Sequence, residues 1–297
     1  MRILIFFIAL FLCTSSWSQA YRELPALKKT ALNVYYSKGF EQRALSISTR
    51  LMGAYQYHRQ LLNFTPSGDV LVLSKNDWKK YTTLPMVYGM PHYNDDSTLI
   101  VAAEDNEFWR SFLPPADQLP ENIRAQVISA YQDKNGQLTM QPFFDLLAIH
   151  ELGHMFHFQA GLTMQRKWMG ELYTNILLHT YIAENEPHLL PALTVFPKMV
   201  VAGGTKEFRF TSLKDVEEKY DEIGLNHPKN YGWYQCRWHY AAAEIYDRSG
   251  KKTGTALWNA LRSKKEKLND EDLMKFLQSI DPAVAGVMIN WERDMIR

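Results

Sequence analysis

The chain has 297 residues and carries 33 Lys plus Arg against 32 Asp plus Glu, a formal net charge of +1. A balance this close to neutral leaves no electrostatic footprint for nucleic acid or for an anionic membrane surface. Its length suits one large domain, or two lobes sharing a core.

Residues 1–20 read as a secretory signal peptide: Arg2 is followed by an unbroken apolar run from Ile3 to Leu12, then by small and polar residues. Cleavage is expected after Ser18 or Ala20, which makes 1–18 the signal peptide and predicts export to a periplasm or out of the cell. The apolar run is too short to span a bilayer, and Cys13 follows Leu12 rather than the small residue a lipoprotein signal requires. Farther on, residues 189–202 are apolar but interrupted by Pro191, Pro197 and Lys198, so no membrane span is expected and the mature chain reads as soluble. Cys236 is the one cysteine left after cleavage, which excludes an intrachain disulfide.

In chain order, apolar residues at Leu45, Leu51, Met52, Tyr55, Leu61 and Leu62 predict a helix over 41–62, broken by Pro66-Ser67-Gly68. The β-rich runs 69–73 and 97–103 predict two strands of a small sheet, with a loop around Gly89-Met90-Pro91 between them. From Glu121 onward helices are predicted over 121–132, 142–159, 167–184, 212–223, 231–248, 253–265, 270–279 and 282–295. Strands first and helices afterwards predict an α+β fold, with a sheet-bearing front lobe and a helical rear lobe.

The chemistry-bearing segment lies inside the helix predicted over 142–159, where His150-Glu151-Leu152-Gly153-His154 forms a His-Glu-x-x-His pattern. Residues four apart on a helix differ by about 40° in direction and about 6 Å in height, so both imidazoles can face one tetrahedral ion. Glu151 then sits beside a water on that ion. Glu171, on the next predicted helix, supplies a third ligand after a gap that lets the chain reverse near Gly161. Asn175, one turn beyond on the same face, can hydrogen-bond a ligand histidine. His157 and His179 read as structural residues.

These motifs, with Trp168-x-x-Glu171 following His150-Glu151-x-x-His154, resemble the gluzincin branch of the zincin metallopeptidases. The resemblance covers roughly 142–175. It implies one Zn2+ per chain held by His150, His154 and Glu171, Glu151 as the residue that activates water, and a peptide or protein substrate bound in a cleft between two lobes. On that basis residues 19–297 form one zincin-like peptidase domain, with about 66–161 the sheet lobe ending in the zinc helix and 162–297 the helical lobe. Metzincins are excluded, since the positions where they carry glycine and a third histidine are His157 and Ala160 here.

Two departures narrow the reading. The Gly-x-Met-x-Asn segment that anchors a free amino terminus in the group's aminopeptidases is absent upstream, which favours an endopeptidase over an aminopeptidase. Asn175 stands where thermolysin-like relatives carry aspartate, making the support of the ligand histidine neutral. A tyrosine opening a downstream helix supplies the oxyanion partner in many gluzincins. Counting back from Gly250 favours Tyr234, with Tyr231 the alternative. A protein of another class also stays open, a secreted binding module in which zinc only staples two helices. A closed fourth coordination position would mark it.

Overall fold

The computed structural model describes residues 21–292, apart from residues 22, 29 and 96, so the expected signal peptide lies outside the described residues. The fold is α+β, as the order of elements predicts. A four-stranded sheet is built from β1 (Asn33–Tyr36), β2 (Asp69–Leu73), β3 (His92–Tyr93) and β4 (Thr98–Ala102), in the spatial order β1-β2-β4-β3. β1, β2 and β4 are parallel, with Val70 opposite Val34 and Leu99, whereas β3 runs antiparallel along the outer edge of β4. Parallel neighbours require a crossover. Between β1 and β2 it is the helix α1 (Glu41–Leu62). Val70, Leu71, Val72 and Leu73 are all buried, as are Leu99, Ile100 and Val101, so the two central strands are covered on both faces.

The short helix α2 (Lys75–Tyr81) packs on β2, and the short helix α3 (Glu107–Arg110) follows β4. They are followed by α4 (Glu121–Tyr131), α5 (Gln141–Gln159), α6 (Lys167–Asn185), α7 (Leu190–Ala202), α8 (Leu213–Asn226), α9 (Pro228–Ser249), α10 (Lys252–Ser263), α11 (Asp270–Ile280) and α12 (Pro282–Asn290). α5 joins the two parts of the fold: it packs on β4 and α1 in one direction and on α6 in the other. The bidentate pairing of Arg43 on α1 with Asp145 on α5 fixes the first of these contacts. α6 lies at the centre of the helical part, buried along every face from Trp168 to Ile182 and packed against α5 and α9. Among the described residues no helix is long and apolar enough to cross a membrane.

Two differences from the sequence reading have physical causes. β1 extends the sheet back to residue 33, well before the expected lobe boundary near 66, because a four-residue strand leaves too short an alternation to register. Residues 190–202 form the helix α7 despite the internal Pro197. Burial of Leu193 and Phe196 opposes the proline's cost of about 3 kcal/mol. The buried Tyr131 hydroxyl adds two bonds, donating to Ala192 O at 2.9 Å and accepting from the Phe196 N–H at 3.0 Å.

Candidate metal centre

α5 carries Pro142 in its first turn and closes at Ala160 with Gly161 in the left-handed region, φ +62°. The Gly161 N–H donates to Phe158 O at 2.9 Å and the Leu162 N–H to His157 O at 3.1 Å, the double closure by which glycine ends a helix. The chain reverses there, and α6 returns against α5 so that Glu171, Thr174 and Asn175 face His150 and His154.

The three proposed ligands converge. His150 Nε2 lies 3.1 Å from His154 Nε2 and 3.2 Å from Glu171 Oε2, and His154 Nε2 lies 3.7 Å from the same oxygen. A tetrahedral zinc with bonds of about 2.0–2.1 Å holds its ligand atoms roughly 3.3–3.4 Å apart, which is the mean spacing of this trio. All three residues are buried, and among the described residues they form the one group of histidine, cysteine and carboxylate side chains able to hold a metal ion.

The surrounding hydrogen bonds assign the protons. Thr174 donates its hydroxyl proton to Glu171 O at 2.9 Å, so toward His150 Nδ1, 3.2 Å away, its oxygen can only accept. Asn175 Oδ1 lies 2.9 Å from the same nitrogen. His150 therefore carries its proton on Nδ1 and turns the Nε2 lone pair toward the cluster. On His154, Nδ1 lies 2.8 Å from His157 Nε2, and burial, followed by the charge of His154, holds His157 far below the usual histidine range. With His157 in its Nδ1-protonated tautomer, its Nε2 accepts from Nδ1 of His154 and leaves the Nε2 lone pair of His154 free. Two lone pairs and a carboxylate oxygen thus point at one another, an arrangement that only a cation or an added proton makes favourable.

Titration follows the same logic. Burial pulls His150 down, but the hydrogen bond to Glu171 and the charges of Glu151 and Glu171 carry it above its ordinary value. Glu171 opposes its own burial through His154 and His150 and lies well below the usual carboxylate range. Glu151 is raised by burial, with His150 and His154 opposing and Glu171 adding to the rise. A half-buried carboxyl group raised by desolvation beside two histidines and a second carboxylate is a candidate for proton transfer.

No family model matches this chain, and no curated protein matches it significantly.

Of the residues singled out in the sequence, His150, His154, Glu171 and Asn175 come together as expected in space, with Glu151 next to them on α5. Tyr234 does not join them. Its ring is buried and stacked on Trp238 and Trp291, and its hydroxyl donates to Ser212 O at 2.8 Å. α9 begins at Pro228 rather than near residue 231. That extension puts Tyr231 in the first turn, with Gln235 one turn along on the same face, both turned toward Glu171.

The sequence reading missed Thr174 and four further contributors. His157, taken as structural, contacts a proposed ligand directly. Tyr220 on α8 donates to Glu171 Oε1 at 2.7 Å, and Gln235 donates to Glu171 Oε2 at 2.9 Å. Tyr93, on the edge strand β3, has a buried hydroxyl beside the Met155 backbone, and burial and then the nearby charge of Glu151 raise it far above the usual tyrosine range. Only His157 carried a signal, one turn after His154 on the same helix. Tyr93, Tyr220 and Gln235 reach the site through tertiary folding alone.

Proposed function

We propose that the chain is an exported zinc-dependent peptidase with a two-lobe, zincin-like fold, cutting within peptide chains rather than removing amino-terminal residues. The observation that carries this reading is the convergence of His150 Nε2, His154 Nε2 and Glu171 Oε2 within 3.1–3.7 Å, with Glu151 beside them on the same helix. Among the described residues no fourth histidine, cysteine or carboxylate joins the trio, which favours an open coordination position over a structural staple.

When bound, zinc supplies Lewis acidity, lowering the pKa of a water and polarising the scissile carbonyl. The side chains do the rest. Glu151 takes a proton from the attacking water on its carboxylate and delivers it to the leaving amine as the carbon–nitrogen bond breaks. Asn175 and Thr174 hold the His150 ring through Nδ1, and His157 does the same for His154, so both imidazoles keep one tautomer and one orientation. We assign the oxyanion role to Tyr231, whose hydroxyl accepts from Gln235 at 2.8 Å and can turn its proton from Tyr220, 3.0 Å away, to the oxyanion.

Incubating purified residues 19–297 with a mixed peptide library, with and without a chelator, tests the reading. Internal cleavage that the chelator abolishes and added zinc restores is the expected result. Bound zinc with no cleavage of any peptide would instead mark a zinc-stapled binding module.

A further inference from the structure

We infer that Tyr220, assisted by Gln235, is a positioning residue that fixes the Glu171 carboxylate so that only Oε2 is presented to the metal. The inference rests on the reading of His150, His154 and Glu171 as a metal centre, and it concerns residues that neither the motif nor its spacing brings forward.

Four side chains close a ring of hydrogen bonds. Tyr220 donates to Glu171 Oε1 at 2.7 Å. Gln235 Nε2 lies 2.9 Å from Glu171 Oε2 and 2.8 Å from the Tyr231 hydroxyl, and the two tyrosine oxygens are 3.0 Å apart. Counting protons gives the ring a direction. The Gln235 amide nitrogen has two hydrogens and no acceptor capacity, so one goes to Glu171 and the other to Tyr231. Tyr220 has committed its only proton to Glu171. Tyr231 therefore donates to Tyr220 in the resting site, or redirects that proton to a ligand.

The consequence falls on Glu171. An ionised carboxylate free to turn can offer a cation one oxygen or both. Here Oε1 is held by a phenol from outside the cluster, while Oε2 is the atom within 3.7 Å of both imidazole nitrogens. A short charge-assisted bond of this kind resists the rotation that would bring the second oxygen in. Tyr220 is itself anchored. The Lys167 N–H, at the start of α6, donates to Glu217 of α8 at 2.6 Å, and the Lys167 ammonium lies 5.8 Å from the Tyr220 ring. α8 is kinked at Lys219, the residue before Tyr220. Tyr220 and Gln235 act on the chemistry through Glu171, which makes them positioning rather than catalytic residues.

The test uses the mature chain, metal-stripped and titrated with Zn2+ against a chromophoric chelator, and separately loaded with Co2+ for visible absorption. Tyr220→Phe should weaken zinc binding by about 10- to 100-fold. It should also change the Co2+ band intensities, as Glu171 becomes free to bind through both oxygens. Tyr246→Phe, which removes a phenol bonded to Glu184 on the surface, should leave both readouts unchanged. Gln235→Met should shift zinc affinity in the same direction as Tyr220→Phe, and it decides the matter if Tyr220→Phe does not fold without metal. Wild-type affinity and an unaltered Co2+ spectrum in a folded Tyr220→Phe or Gln235→Met protein would overturn the inference while leaving the metal centre intact. A wild-type chain that binds no zinc would overturn both.

Discussion

Gly153 faces Thr174 across the contact between α5 and α6 with little room for a methyl group. A β-carbon at Gly153 would lie 3.1 Å from both Cβ and Cγ2 of Thr174 and 3.3 Å from its Cα. The glycine inside the His-Glu-x-x-His pattern is thus what lets the helix bearing His150 and His154 approach the one bearing Glu171.

Gly153→Ala sets two effects against each other. Helix propensity favours alanine by about 1 kcal/mol, whereas overpacking a tight contact costs about 1–3 kcal/mol. Because backbone as well as side-chain atoms of Thr174 stand in the way, the steric cost should win. The variant should lose about 1–2 kcal/mol in urea denaturation and bind zinc more weakly as the helices part. A variant more stable than wild type would show that the helices can separate freely.

Glu171→Ala deletes the one carboxylate of the proposed ligand set and should abolish stoichiometric zinc binding. Glu184, near the far end of the same α6, bonds Tyr246 and Lys251 at the surface. Its alanine variant should keep full zinc content. Atomic emission on the two dialysed proteins makes the comparison, and loss of metal on the Glu184 change instead would reassign the ligand.

Tyr231→Phe should lower the turnover rate by roughly 10²-fold with little change in substrate affinity, because its proton would turn from Tyr220 to the oxyanion only as charge develops in the transition state. Tyr234→Phe should leave turnover intact and cost about 1 kcal/mol of stability through the lost bond to Ser212 O. Steady-state kinetics on one peptide with urea melts of both variants would return the oxyanion role to Tyr234 if the rates fell in the opposite order.

His58 predicts a pH dependence of folding away from the centre. Burial, only partly opposed by its contact with Leu177 O, pushes it down to about 4. The unfolded chain takes up that proton near its ordinary value of about 6.5 while the folded chain does not. Stability is therefore full above about 6.5, declines as pH falls toward 4, and levels off below, with a total loss of roughly 3 kcal/mol from this group. His58→Gln should remove that part of the slope between pH 6.5 and 4 in urea midpoints. An unchanged slope would mean that His58 takes up its proton in the folded state.

The elements with long, uninterrupted periodicity were legible in the sequence. Residues 41–62 and 69–73 coincide with α1 and β2, and the helices carrying His150, His154 and Glu171 fall within a residue of their expected bounds. The candidate ligand trio was readable because its spacing is set by local helix geometry and one chain reversal. What supports the trio was not. Tyr220 occupies an amphipathic helix between the buried Val216 and Ile223, where a tyrosine reads as packing. The choice between Tyr234 and Tyr231 depended on where α9 starts, and Pro228 at its first position moved that start by one turn. β3 is two residues long and gives no alternation at all.

The most direct measurement of the central claim is peptide hydrolysis by Glu151→Gln, which keeps the size of the side chain and removes its basicity. Hydrolysis should fall by at least ~100-fold, with one zinc per chain retained and thermal stability unchanged. Wild-type turnover in a zinc-loaded Glu151→Gln protein would contradict the account, because the proton would then be carried by some other group.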